Sequence, residues 1–351
     1  MKRELVLDNF VVNDESDAYV IAEIGHNHQG ELEQCKTLFR RAKDCGANAV
    51  KLQKRDNKAL FSTAQYNSPY DNPNSYGATY GEHREYLEFG REEYLELKEY
   101  AKSLDITFFS TPFDFNSADF LEELDMPLYK IASGDLLNIP LMKHVASFGK
   151  PMIVSTGGGA IKDVQRVYDE IMPINSKLAI LQCTSAYPAR PDQLNMRVIE
   201  SYREMFPDII IGYSGHDNGI AMPLVAYMLG ARIIEKHFTL DRTLKGTDHA
   251  FSLSPTGFEH MVRDLRRARQ SLGDGNKSVV DAEQAPLVKM GKKLVAARSL
   301  QPGHILTVDD IAIKSPGDGL PPYELDNILG KKLSRPLEQE QDILFDAISD
   351  N

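Results

Sequence analysis

No stretch of this chain approaches the roughly 18 uninterrupted apolar residues of a membrane-spanning helix. The opening "MKRELVLDNFVVNDES" carries acids where a secretory leader has its apolar core. A cytoplasmic protein that meets no membrane is therefore expected. Cysteine is scarce: Cys35, Cys45 and Cys183 are all there are, without CxxC spacing. That count excludes a disulfide framework and fits reduced thiols. Cationic excess is also lacking, since the formal net charge is −11. Non-specific nucleic-acid binding needs the opposite surface, so no nucleic-acid partner is expected. An anionic substrate stays open, because a site needs only a few local cations. Also missing are a repeat of solenoid period and any low-complexity tract. The Gly-rich "STGGGA" at 155–160 matches neither GxGxxG after a first strand nor the Walker pattern.

What is present is ordinary globular composition, 42% hydrophobic and 26% charged, over 351 residues, a length that suits one large domain with a small one. Short β-branched runs alternate with amphipathic stretches. Strands are expected at 19–24, 49–53, 106–111, 128–133, 152–156, 178–184, 209–214 and 232–238. These runs are apolar enough to be buried on both faces, which favours a parallel sheet. Eight of them with helices between predict an α/β fold, a (β/α)8 TIM barrel, over a doubly wound open sheet. Past "FEHMVRDLRRARQSLG" the character changes, and Gly and Pro punctuate short segments. The expected division is a barrel over 1–275, a linker over 276–289 and a small β-rich domain over 290–351.

In a barrel of this kind the C-terminal strand ends share one face, and active sites lie there. The ends here are Glu23; Lys51 with Gln53; Ser110 and Thr111; Lys130 and Ser133; Ser155 and Thr156; Thr184, Ser185 and Tyr187; Ser214 and His216; and Lys236 with His237. Strands commonly turn polar as they reach solvent. Lysines inside apolar runs, with hydroxyls on neighbouring strands, exceed that expectation and suit a phosphate plus a carboxylate. Glu23, at a strand mouth near cations, suits a general acid or base. His216 and His237 converge only if their strands are neighbours; two imidazoles with open positions suit a catalytic divalent ion better than structural zinc. "AEIGHNHQG" (22–30) is read as a strand end running into a polar turn, in which His26 and His28 each form hydrogen bonds more readily than they ligate a metal.

The stretches "AEIGHNHQG", "VKLQ", "TFFSTPFD", "YKIASGD", "KPMIVSTGG", "LQCTSAYP", "IGYSGHDNG" and "EKHFT" follow one another as in the sialic acid synthase family, which the chain resembles over nearly its whole length. The terminal segment is similar to that family's antifreeze-like (SAF) domain. The insertion at 69–89 further resembles the animal-type branch, which acts on a phosphorylated sugar.

The resemblance implies condensation of phosphoenolpyruvate with an N-acyl hexosamine, N-acetylmannosamine or its 6-phosphate, releasing inorganic phosphate. It implies that Lys51, Thr111, Lys130, Ser133, Ser155, Ser185, Tyr187 and Ser214 hold phosphoenolpyruvate. His216 and His237 would bind Mn²⁺ or Mg²⁺; Gln53, Asp135 and Asp248 would contact the sugar, Glu23 would be the acid/base, and by the family's motif His28 would have a supporting role and His26 none. It also implies a homodimer in which the SAF domain reaches the partner's active site. One departure bears on the sugar: where many bacterial members present the arginine of "KRPG", this chain has Ser315 after Lys314. Arg84 and His83 in the insertion are candidates to meet a sugar phosphate. Related readings are a synthase for legionaminic, pseudaminic or deaminated sialic acid or for a spore-coat sugar. From another class comes a carbohydrate-binding module built on the SAF domain.

Overall fold

The computed structural model describes residues 3–349, and the chain divides into two compact units after Leu272. In the first unit a hairpin of β1 (Glu4–Leu7) and β2 (Phe10–Asn13) precedes eight parallel strands. These are β3 (Tyr19–Gly25), β4 (Ala49–Lys54), β5 (Thr107–Pro112), β6 (Tyr129–Ile131), β7 (Met152–Ser155), β8 (Leu178–Cys183), β9 (Ile210–Gly215) and β10 (Ile233–His237). They pair in chain order, and β10 returns to β3, closing a barrel. All eight expected strands exist, with β6 shorter than the predicted run because Ser133–Asp135 turns away as a 3₁₀ helix.

Helices cover the outside through apolar stripes. In Leu32–Asp44 the buried residues Cys35, Leu38, Phe39 and Ala42 recur at helical spacing. Phe115–Glu123 begins where the Asp114 carboxylate accepts from the Ser117 N–H at 2.8 Å, satisfying a donor that the first turn leaves unpaired. The 69–89 insertion is structured. Its helix Tyr80–Tyr86 carries a capping box, with Thr79 accepting from the backbone of Glu82 and Glu82 reaching back to Thr79.

Inside the barrel, side chains follow the two-residue strand period. Tyr19 and Ile21, Ala49, Phe109, Leu128, Ile153, Leu181 and Ile233 form one apolar cluster with Leu5, Leu7 and Val12 of the hairpin. Gly212 belongs to this layer: a methyl group there would lie 2.3 Å from Leu181 Cδ2 and 2.5 Å from the Ile233 carbonyl oxygen. Glycine is what the crowding allows. Two residues beyond Ile21, Ala49, Phe109, Leu128, Ile153, Leu181 and Ile233 stand Glu23, Lys51, Thr111, Lys130, Ser155, Cys183 and Glu235. The apolar layer thus supports a polar one at the strand C-termini.

In the second unit β11 (Lys293–Ala296) pairs with β12 (Ile311–Lys314), and β13 (Lys332–Leu333) with β14 (Ile348–Ser349), both antiparallel. A core including Leu294, Leu300, Leu306, Leu333 and Ile343 lies among short turns. The segment expected as a plain linker contains a helix, Gln284–Met290. Among the described residues no helix is long and apolar enough to cross a membrane.

Candidate active site

The polar layer lines a cavity of about 550 Å³ at the C-terminal mouth of the barrel. Glu23, Lys51, Gln53, Thr111, Lys130, Ser133, Ser155, Tyr187, Ser214, His216, His237 and Asp248 all line it. Asp135 and Ser185 do not. Asp135 instead accepts from the Asn138 amide at 3.0 Å, and Ser185 packs its hydroxyl against Gly157.

Strand register brings the charges together. Glu23 on β3 faces Lys51 on β4 and His237 on β10 across the ladder. Lys51 Nζ lies 2.6 Å from Glu23 Oε2 and donates to Thr111 Oγ1 at 2.9 Å. Gln53 Nε2 donates to the other Glu23 oxygen at 2.7 Å. On the opposite wall Lys130 Nζ donates to Ser155 Oγ at 2.6 Å and stands 3.7 Å from Glu235 Oε1. That oxygen also accepts from Ser214 Oγ at 2.8 Å. Ser133 Oγ accepts the Gly157 N–H at 2.9 Å.

Glu235 is the acid that sequence reasoning passed over. It is buried, lines the cavity, and lies two residues before His237 on one strand. The alternation of a strand puts 235 and 237 on one face and 236 on the other, and this was the available signal. Lys236 accordingly leaves the site and pairs with Asp217 Oδ1 at 3.0 Å.

The two buried carboxyls are driven apart. Burial pushes Glu23 above the usual carboxylate range, against the pull of Lys51. Burial acts on Glu235 in the same sense, yet Lys130 and Lys51 together hold it well below that range. Burial also lowers the Lys130 ammonium. A pair of titratable groups whose environments separate them in this way divides the acid–base work. Glu23 is suited to carry a proton and Glu235 to stay charged.

The histidines of adjacent strands meet as expected, with ring centroids 5.2 Å apart. His216 Nδ1 lies 3.0 Å from the Thr184 carbonyl oxygen, a contact that fixes the proton there and leaves Nε2 with its lone pair. His237 Nδ1 is buried without a hydrogen-bond partner, 3.8 Å from Asp248 Oδ2. Burial brings His237 down to about 4, so the ring is neutral at pH 7.

His28 stacks on Phe89 with centroids 4.2 Å apart and accepts the Gly30 N–H at 3.1 Å, away from the cavity. His26, expected to have no role, lines the cavity beside Arg55 and Arg84. His83 does not reach the cavity. In the second unit Ser315 donates to the Gly291 carbonyl at 2.8 Å and accepts from Lys292 Nζ at 2.7 Å.

Known proteins resemble this chain over most of its length. The chain is 40% identical to an N-acetylneuraminate-9-phosphate synthase of Homo sapiens, covering 97% of this chain and 95% of the human protein. It is 35% identical to an N,N'-diacetyllegionaminic acid synthase of Legionella pneumophila over 94% of each chain. A crystal structure of N-acetylneuraminic acid synthetase from Leptospira borgpetersenii superposes with a TM-score of 0.72 at 32% identity, covering 82% of this chain and 95% of that one. Residues 293–348 match the SAF domain. With residues 38–277 matching as well, the chain belongs to the NeuB family.

Proposed function

We propose that this protein condenses phosphoenolpyruvate with an N-acyl hexosamine, N-acetylmannosamine or its 6-phosphate. The products are N-acetylneuraminate, or its 9-phosphate, and inorganic phosphate. The observation that carries the reading is the polar layer: two buried lysines, hydroxyls from three strands and from the turn after a fourth, and two carboxyls of opposite tendency in one cavity.

Lys51 and Lys130, with Thr111, Ser133, Ser155 and Ser214, supply charge and directional donors for the phosphate and carboxylate of phosphoenolpyruvate. His216 and His237 fit a divalent ion, Mn²⁺ or Mg²⁺, through the His216 Nε2 lone pair and the unpartnered, buried His237 Nδ1. Among the described residues no group of three or more His, Cys, Asp or Glu side chains is arranged to hold a metal. Water and substrate oxygens would complete the shell, as in open catalytic sites. When bound, such an ion polarises the carbonyl of the open-chain sugar as a Lewis acid.

The alkene carbon of phosphoenolpyruvate forms a bond to the sugar's carbonyl carbon as the C=O π bond opens, and Glu23 gives its proton to that oxygen. Water adds to the adjacent carbon, and the C–O bond to phosphate then breaks. Glu23, aimed by Lys51 and Gln53, takes the proton from that water. Glu235 keeps Lys130 cationic and in place, and the lysines and hydroxyls receive the charge of the departing phosphate.

A related reading, a synthase for legionaminic or another nonulosonic acid, draws on the Legionella relative and differs only in the sugar. Phosphate release from phosphoenolpyruvate with each form of N-acetylmannosamine, with Mn²⁺ and with chelator, tests the proposal. Metal-dependent release with either acceptor is the expected result. Silence with both, alongside turnover of another N-acylated hexose, would move the chain to the related reading.

A further inference from the structure

On the β3–β4 side of the cavity stands a cationic group that the reaction above leaves unused. Arg55 follows β4 directly and is 8% exposed. Its guanidinium lies over Phe113, with Cζ 3.7 Å from the ring centroid, and donates to Gln53 Oε1 at 2.7 Å. Arg84, from the helix of the insertion, is held by the Tyr80 hydroxyl, which accepts from Nε at 3.1 Å and Nη2 at 3.0 Å. Both arginines then converge on one imidazole. Arg55 Nη1 is 3.2 Å from His26 Nε2, and Arg84 Nη1 is 3.4 Å from His26 Nδ1.

This arrangement is electrostatically incomplete. A neutral imidazole has one acceptor nitrogen, so only one guanidinium finds a lone pair, and the other meets an N–H. A protonated ring would be a third cation. Burial first, then Arg55 and Arg84, keep His26 well below the usual histidine range, so it is the neutral form that is present. Burial and the neighbouring Arg84 draw Arg55 itself down to about 10. Among the described residues neither guanidinium has a carboxylate at ion-pair distance. Of the nearby acids, Glu88 binds Lys54 through Oε2 at 3.0 Å while its Oε1 stands 3.8 Å from His26 Nε2, and Asp248 lies beside His237. Buried charge without a counter-ion is costly, and a planar fork of N–H donors fits the oxygens of a phosphate in pairs.

We propose that Arg55, Arg84 and His26 form a second anion site, which binds a phosphate carried by the acceptor sugar. The substrate is then an N-acyl hexosamine phosphate and not the neutral sugar. The inference rests on the synthase reading, with Lys51 and Lys130 reserved for phosphoenolpyruvate. Arg55 and Arg84 hold the far end of the acceptor while its carbonyl end lies toward Glu23 and the histidines.

The test compares kcat/KM for N-acetylmannosamine 6-phosphate and for the free sugar in wild type, Arg55→Ala and Arg84→Ala. The wild type is expected to favour the phosphorylated acceptor. The ratio should fall about 10- to 100-fold in each variant, the size of a lost hydrogen bond to a charged group, mainly through KM. Arg55→Lys should recover part of the loss, as a point charge without the fork. Arg84→Ala, on the insertion, carries the test if Arg55→Ala does not fold. An unchanged ratio in the variants, or a wild type that favours the free sugar, overturns the site while leaving the synthase standing. Silence with both acceptors counts against the N-acetylmannosamine reading and not against the site. Calorimetric titration with the sugar phosphate then decides the site alone: binding abolished in Arg55→Ala retains it, and equal or absent binding overturns it.

Discussion

Both units of this protein bury charge, and they do so to opposite ends. In the barrel, two lysines and two carboxyls line an open cavity, and His237 Nδ1 and Glu235 Oε2 are buried there without hydrogen-bond partners. In the small unit Asp310 is fully buried and fully answered. One carboxylate oxygen accepts from Arg298 Nε and Nη2 at 3.0 and 2.7 Å. The other meets His304 Nε2 at 2.8 Å and accepts from the Thr307 N–H and hydroxyl at 2.9 and 2.8 Å. A saturated buried carboxylate ties a turn to its surroundings and has nothing left to offer a ligand. An undersaturated cluster beside a cavity stores the same desolvation cost and returns it when a substrate supplies the missing partners. The contrast lies in satisfaction, not in the number of charges.

Mutating one carboxylate from each unit should break the comparison in opposite ways. Glu23→Gln keeps the shape but removes the proton acceptor, and should lower phosphate release about 10³-fold, within the range for a lost acid–base group. Amide exchange in the barrel strands should change little, and a loss below tenfold would take Glu23 out of the chemistry. Asp310→Ala should do the reverse. With its donors stranded, the small unit should lose about 3 kcal/mol of stability. That loss is read in the full chain as faster exchange of the Leu294, Ala296 and Leu300 amides, which bond to Leu320, Gln341 and Leu337. A loss under about 1 kcal/mol would mean that water replaces the carboxylate.

The same contrast explains what the sequence could and could not disclose. The barrel was legible because each strand is a short apolar run, and polar convergence followed from the rule that parallel strand ends share a face. Residues inside strands, such as Glu23 and Lys51, could be assigned to that face by position. Lys236 and His237 were read together as strand ends, although alternation sends Lys236 to Asp217 and brings Glu235 inward instead. Residues beyond strand ends had no such rule. Arg55 lies over Phe113, a residue from another strand's loop, and Asp135, in a 3₁₀ segment, turns aside to accept from the Asn138 amide. Loops take their geometry from tertiary contacts that no periodicity records. The helix at Gln284–Met290 went unseen for a related reason, since its residues show no buried stripe.

The smallest expected effect sharpens the comparison through pH. Burial alone would raise the Asp310 carboxyl; His304, the Thr307 N–H and Arg298 outweigh it and hold the group far below the usual range. A carboxyl lowered on folding contributes stability that is complete above its unfolded value of about 3.9 and is lost as pH falls toward the folded value. The difference in amide protection between wild type and Asp310→Ala should therefore stay constant from pH 7 to 5, after correction for the intrinsic exchange rate. Below about pH 4 it should narrow gradually. Glu23 has the opposite displacement, because burial raises it, so its protonation begins at a higher pH than that of Asp310. A protection gap that already closes between pH 7 and 5 would show that Asp310 is not held as a carboxylate, and the two units would then differ in charge state as well as in satisfaction.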